Sequence, residues 1–386
     1  MGWVLLTQKK GPAMKKLLIA SAVSALFAAP ATVLAQAKPA PAPTLDKVLE
    51  ASGISVSGYI DAGYTHSDRD QAAFTTRVFD TQNNSFGLNQ FGLTVAKQPK
   101  EGFGGLVNIT VGRDAQFIHS FPETNTAVPP ANSTSMFDVT QAFLQYAGGP
   151  LTIIAGKFTT LHGTEVIASS GNTNVSRSIL FGAVPFTHTG LRATWALGDT
   201  VSLIAGVNNG WDQLTDANKG KTLELGAALT PIKPLSVTIS GYSGKEPTSA
   251  TTEGTRSSLN VVVSYTITDP LSVGLEALSV SQENAAGGTT KQKYSGYAGY
   301  VTYMFAPKFR GVLRGESFDD KDGFHFLTTG TKYKEVTLTA AYVASDSFEA
   351  RVEARRDSAT KTVFTDYAGA ASKTMTSIAL QGLYKF

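Results

Sequence analysis

The chain has 386 residues, of which 42% are apolar, 16% charged and 37 are glycine, with no cysteine and a formal net charge of +3. The missing cysteine excludes disulfide scaffolds, thiolate metal sites, Fe–S clusters and cysteine nucleophiles. The apolar share excludes wholesale disorder, and no run after residue 35 approaches the roughly 20 apolar residues of a membrane-spanning helix.

The first elements are export signals. Met14-Lys15-Lys16, the apolar run Leu17 to Ala29 and the small-residue close Val33-Leu34-Ala35 have the three parts of a secretory signal. The expected division is an upstream extension at 1–13 from a mis-set start codon or a cloning remnant, a cleaved signal peptide at 14–37, a periplasmic linker with a short helix at 38–53, and one β-domain at 54–386. Lys9, Lys10, Lys15 and Lys16 are the only charges before residue 36, so the remainder carries 29 basic against 30 acidic residues. The positive net charge belongs to the precursor, and it gives no reason to expect nucleic acid as a partner.

After the helix-like piece Thr44 to Ala51, the hydrophobic period changes from 3.6 to 2 and stays there. Phe348-Glu349-Ala350-Arg351-Val352-Glu353-Ala354-Arg355 is the clearest case, apolar at even and charged at odd positions. Such alternation predicts strands near 54–65, 86–97, 103–113, 137–147, 151–159, 187–197, 201–209, 221–230, 235–244, 257–266, 271–280, 293–305, 309–317, 333–344, 348–356 and 374–386. Two segments fit poorly: Phe137 to Tyr146 mixes faces, and Lys157 sits on an apolar face, as bulges would allow.

Tight turns such as Ala147-Gly148-Gly149-Pro150, Thr268-Asp269-Pro270 and Ser345-Asp346-Ser347 alternate with long polar connections at 67–85, 114–136, 160–186, 245–256, 281–292, 318–332 and 357–373. An up-and-down antiparallel sheet then collects its short turns at one end and its long loops at the other. Lipid cannot satisfy backbone N–H and C=O groups, so a spanning sheet must close and leave no edge. The expected fold class is all-β: a transmembrane up-and-down antiparallel β-barrel of about 16 strands, with short periplasmic turns and long extracellular loops in the outer membrane of a Gram-negative bacterium. Tyr297, Tyr300, Tyr303, Phe305 and Phe309 gather around one turn, as an interfacial aromatic girdle would. A four-bladed propeller of sixteen strands is disfavoured, since the sequence has no per-blade repeat.

The last strand ends Ile378-Ala379-Leu380-Gln381-Gly382-Leu383-Tyr384-Lys385-Phe386. With Tyr384 and Phe386 on its apolar face, it resembles the terminal strand of outer-membrane barrels, whose final aromatic is the signal read by the barrel-assembly machinery. Val48-Leu49-Glu50-Ala51-Ser52-Gly53-Ile54-Ser55-Val56-Ser57-Gly58-Tyr59-Ile60-Asp61 and Asn89-Gln90-Phe91-Gly92-Leu93 resemble the opening of the OmpL-like β-barrel porin family. Ala155-Gly156-Lys157-Phe158 and His188-Thr189-Gly190-Leu191-Arg192 are similar to later blocks of that family. The resemblance implies a passive outer-membrane channel and no catalytic residues.

The wet strand face is expected to carry Asp61, Arg192, Glu224, Glu276, Arg310, Arg314, Glu316, Glu335, Glu349, Arg351, Glu353 and Arg355. Lipid-facing Arg or Lys would cost about 2–4 kcal/mol at mid-depth, so these residues are expected to line a pore, or else to pair across the wall and fill space. The loop from Thr160 to Phe186 is the longest and least polar, with His162, Glu165 and Arg177 among apolar residues. It is expected to fold inward as a constriction, with Glu165 and Arg177 facing solute. The five histidines show no H-E-x-x-H spacing and no nucleophile elbow is present, so no enzyme, metal or cofactor is expected. A barrel of sixteen strands leaves room for an aqueous channel for small hydrophilic solutes or ions. The alternative is a non-conducting structural or adhesion barrel, and homo-oligomer formation is left open.

Overall fold

The computed structural model describes residues 44–70, 74, 76–124, 133–285 and 288–386. The upstream extension and signal peptide expected at 1–37 lie outside the described residues. Helix α1 (Leu45–Ser52) precedes the first strand. The strands are β1 (Ser55–Ser67), β2 (Ser85–Lys97), β3 (Gly102–Val111), β4 (Phe137–Gly148), β5 (Leu151–Thr159), β6 (Thr187–Leu197), β7 (Val201–Asn208), β8 (Thr222–Ile232) and β9 (Leu235–Pro247). They continue as β10 (Glu253–Thr268), β11 (Leu271–Gln282), β12 (Gln292–Ala306), β13 (Phe309–Asp320), β14 (Thr331–Ser345) and β15 (Phe348–Ala359), then a small loop hairpin of β16 (Phe364–Thr365) and β17 (Ala371–Ser372), and finally β18 (Thr374–Lys385). Without that hairpin, sixteen strands form one closed antiparallel barrel, with β1 paired to β18.

Each barrel strand overlaps one predicted segment. The main difference is at the loop end, where β9 and β10 run on until only residues 248–252 separate them, although a loop at 245–256 is expected. Thr255↔Lys245 and Gly254↔Glu246 are cross-strand pairs there. Pairing supplies partners for backbone groups that a loop would leave to water, so the ladder extends past the end of the apolar pattern.

Period 2 becomes in-and-out packing. Along β14 burial alternates without a break from Thr331 to Tyr342: Tyr333, Glu335, Thr337 and Thr339 are buried, while Val336, Leu338 and Tyr342 are exposed. Their outward neighbours Leu313, Val352, Ile378 and Leu380 are exposed too, giving the barrel an oily outer face. Phe305 stacks on Phe309 at 6.0 Å, and Phe309 meets Tyr342 at 5.2 Å, a girdle at the turn end. Tyr300 does not belong to it. It is turned inward and packs in an internal apolar cluster, because β12 alternates and Tyr297 and Tyr303 occupy the other parity.

Both irregular segments have structural causes. The β3–β4 register shifts between Asn108 and Ile109, a bulge that mixes the faces of β4. Gly156 has φ 137°, a conformation L side chains rarely adopt, and the consecutive residues Lys157 and Phe158 are both buried.

Candidate functional site: a loop held across the barrel interior

The connection from Thr160 to Phe186 leaves β5 and returns to β6, with Thr160 N donating to Phe186 O at 3.1 Å where its ends meet. Between them the chain crosses the interior and touches strands far from its origin. It contains a 3-10 turn at Ser169–Gly171 and a short helix α2 (Ile179–Gly182). Irregular backbone inside a barrel must find hydrogen-bond partners, and the wall provides them as charged groups.

Carboxylates of the wall accept from loop N–H groups. Glu353 on β15 takes Val175 N at 2.7 Å and Ser176 N at 2.9 Å, and Glu276 on β11 takes Thr164 N at 2.9 Å. Glu316 on β13 takes Ile179 N at 2.6 Å and Leu180 N at 3.2 Å, placing an anion at the helical start where N–H groups lack partners. Ser178 completes this cap by accepting from Phe181 N at 3.0 Å.

Arginines of the wall donate to loop carbonyls. Arg314 reaches Ser176 O at 2.8 Å, Arg355 reaches Arg177 O at 2.5 Å, and Arg351 reaches Asn174 O at 3.2 Å. Arg314 also pairs with Glu335 at 2.8 Å and with Glu165 of the loop at 2.6 Å. Arg355 is tied to Asp357 at 2.6 Å. The result is a ladder of alternating charge on β13, β14 and β15 that grips the loop's backbone.

His162 lies at the root of the loop, with Nδ1 at 2.7 Å from the Ser240 hydroxyl and Nε2 at 2.8 Å from that of Ser258. Burial pushes its imidazole down to about 3, with His188 adding to the effect, so it is neutral at neutral pH. Glu165 is engaged by Arg314 and by Ser178 N at 2.6 Å. Arg177 does not face an open lumen as the sequence led us to expect. It is 2% exposed, donates to Val166 O at 3.0 Å, Ile167 O at 3.0 Å and Val175 O at 3.2 Å, and lies over the rings of Phe79 and Phe181. A guanidinium has five donors, and three hydrogen bonds from Arg177 tie segments of the loop to one another.

The other wall residues have partners on the wall itself. Arg192 binds Glu224 in a fork, at 2.5 Å and 2.9 Å, with its guanidinium over Phe158. Asp61 accepts from Asn89 at 2.9 Å and from Gln381 at 2.8 Å. Glu349 takes both Arg310 and, at 2.6 Å, Arg351.

Beyond the charged ladder, Ile179, Leu180, Ala183 and Val184 of the loop pack on inward Leu278, Val280, Tyr294 and Phe318. A second cluster brings in Phe79 and Ile118 against Ile167 and Phe181. The first and second long connections therefore reach the third, a convergence with no periodic signal in the sequence. The first connection also reaches the wall, where Arg77, paired with Asp80, binds Asp357 of β15 at 3.1 Å. On the opposite side a cavity of about 340 Å³ separates Thr164, Asn172 and Asn174 of the loop from Ser236, Ser264 and Thr302 of the wall. Its lining is mostly hydroxyl and amide, so water and hydrophilic solutes can exchange hydrogen bonds along it.

A trio unrelated to this ladder, His119, Glu123 and Asp138, is the one group among the described residues with the donor atoms of a metal site. Sequence spacing could not reveal it, because Asp138 lies on β4 while the other two belong to the preceding connection.

The family model described as "Putative beta-barrel porin-2, OmpL-like" matches residues 53–386. No curated protein matches the chain. Among solved structures, the outer membrane channel DcaP of Acinetobacter baumannii is 16% identical, with 86% of this chain and 97% of that one covered and a TM-score of 0.58. The anion-selective porin from Comamonas acidovorans is 11% identical over 86% and 99% of the two chains, with a TM-score of 0.62. The trimer form of OmpT from Vibrio cholerae is 13% identical over 86% and 99%, with a TM-score of 0.57. At these identities the likeness is one of fold.

Proposed function

Since the chain belongs to the OmpL-like β-barrel porin family and is an outer-membrane channel for small solutes, we propose that it is a narrow, passive pore whose width is set by the loop from Thr160 to Phe186. The observation that carries this reading is the loop's attachment to β11, β13, β14 and β15, which leaves the cavity beside β9 to β12 as the route for solute. In this reading Glu276, Arg314, Glu316, Glu353 and Arg355 position the constriction. Glu165 and His162 hold it from the loop's side, and Arg177 stiffens it. Arg192, Arg310, Arg314, Arg351 and Arg355 are paired with carboxylates, and the remaining wall carboxylates accept from amides and loop N–H groups, so few wall charges are left free. Ion selectivity is therefore weak, and small hydrophilic solutes and ions pass by diffusion, without catalysis or cofactor.

Export by a cleaved signal peptide and recognition of Phe386 by the barrel-assembly machinery belong to the same reading. A homo-oligomer is also part of it, supported by the trimer form of Vibrio cholerae OmpT.

Single-channel recording in planar bilayers tests the reading. Stable steps of small conductance, with a reversal potential near zero in a salt gradient, are expected. Correctly folded barrels that never conduct would favour the plugged, structural alternative, which the many loop anchors would equally serve.

A further inference from the structure

We propose that His119, Glu123 and Asp138 form a binding site for a divalent transition-metal cation such as Zn²⁺ at the loop end of the barrel. His119 follows the turn of residues 115–118, Glu123 lies one loop turn on, and Asp138 is the second residue of β4. His119 Nδ1 is 2.8 Å from Glu123 Oε2 and 3.2 Å from Asp138 Oδ1, and the three donor atoms lie within 4.8 Å of one another. Ligand atoms about 2.0–2.1 Å from a tetrahedral zinc stand about 3.3 Å apart, so these donors are already close to the spacing a metal imposes.

The hydrogen bonding fixes what the site can accept. His119 Nε2 is 3.1 Å from Ser135 O, and a carbonyl only accepts, so Nε2 carries a proton. Nδ1 therefore points at two carboxylates, an arrangement that requires a cation between them, either a proton on Nδ1 or a metal ion. A backbone carbonyl holding the remote nitrogen is also the usual outer-shell partner of a metal-ligating imidazole.

A second, independent observation lies on Asp138. Its residue is 1% exposed, its Oδ1 accepts from Lys157 at 3.3 Å, and its Oδ2 is buried with no hydrogen-bond partner among the described residues. Leaving a buried carboxylate oxygen unpaired is costly, and a metal ion held by both oxygens of Asp138 would satisfy it while keeping Oδ1 toward the imidazole. Lys157 is the opposing consideration, since its charge repels a cation. Two carboxylates facing one lysine and a neutral imidazole leave the site with one net negative charge, which attracts a cation. Glu123 is half exposed, so the ion has a route from solvent and a water can complete the coordination. Nitrogen and carboxylate donors without thiolate suit Zn²⁺ or Cu²⁺ better than Ca²⁺ or Mg²⁺.

The ion would cross-link the second long connection to the wall. That connection already touches the entry to β6, through Ser120 and Thr187 at 2.9 Å, and residue 212 through Phe121. Calorimetry with Zn²⁺ on the tag-free barrel in detergent should show one ion per chain at micromolar affinity. Glu123→Gln alters an exposed side chain and should weaken binding at least about tenfold, while His119→Gln should abolish it. Both variants should retain wild-type circular dichroism and heat-modifiable migration. No binding up to millimolar Zn²⁺ would overturn the proposal, as would wild-type affinity in folded Glu123→Gln and His119→Gln, which would place the ion elsewhere.

Discussion

Glu353 shows how single side chains hold the constriction. Its two oxygens serve Val175 N, Ser176 N and the Thr339 hydroxyl. Glu353→Ala leaves two buried N–H groups without an acceptor, each worth about 1–3 kcal/mol, so the loop should detach locally. Increased open-channel noise and faster proteolysis between residues 160 and 186 are expected, and unchanged values for both would show that the loop holds without this anchor. Arg351→Ala, which the alternating pattern alone would rate as mild, should loosen the same region, because Arg351 joins Glu349, Gln381 and Asn174 O. His162 adds a pH dependence. The unfolded imidazole takes up a proton near pH 6.5, while the buried one resists until about 3. Its contribution is therefore complete above pH 6.5 and is lost progressively as pH falls toward 3. Acidification over that window should free the root of the loop and raise current noise, less so in His162→Asn. The facing groups are His188, Tyr242, Ser240 and Ser258, and His188 titration would leave a residue of the effect in that variant.

At the scale of elements, the loop and the closing strand behave differently. Shortening the loop between Gly163 and Gly182 removes the backbone held by Glu316, Glu353 and Arg355, yet no strand pairing depends on those residues. Single-channel conductance should rise with strand content unchanged, and an unaltered conductance would mean that permeation does not pass this loop. Charge reversal at Glu165, by contrast, is a poor probe of selectivity, because it also breaks the contacts to Arg314 and Ser178 N. At the other element, Phe386 does more than mark the terminus. It exchanges 2.9 Å hydrogen bonds in both directions with Gly58, and a Cβ on Gly58 would meet its ring at 2.5 Å. Deleting Phe386 should therefore lower outer-membrane levels and also weaken the β1–β18 seam, measured as a lower temperature for loss of heat-modifiable migration.

For the whole molecule, the two faces of one strand should give opposite mutational behaviour. Val352 and Ala350 alternate with buried Glu349, Arg351 and Glu353 on β15. Val352→Arg should cost about 2–4 kcal/mol if the position is near mid-bilayer, with the conductance of surviving barrels unchanged. Glu353→Ala should instead change conductance. Refolding titrations into vesicles give the first quantity and bilayer recording the second. If Val352→Arg folded as well as the parent, the assignment of inside and outside would be reversed.

Strand number, strand faces and the asymmetry between turns and loops were legible in the sequence because they are local. A strand records its burial at every second residue, and a tight turn needs particular residues within a few positions. The same alternation picked out twelve wall charges of which ten are buried, with Arg192 and Arg310 half-buried, although not what each one does there. Their roles depend on partners such as Glu165 with Arg314, or Ser176 N with Glu353, whose approach no local pattern records. Arg177 shows the limit: its charge suggested a solute contact, and only the fold around it determined that its donors are consumed by its own loop. The inward course of the loop, the apolar packing above it and the meeting of His119 with Asp138 were likewise decided by tertiary structure. Closing the sheet brings residues far apart in sequence onto one wall, and buried polar groups then take whichever partners that closure places within reach.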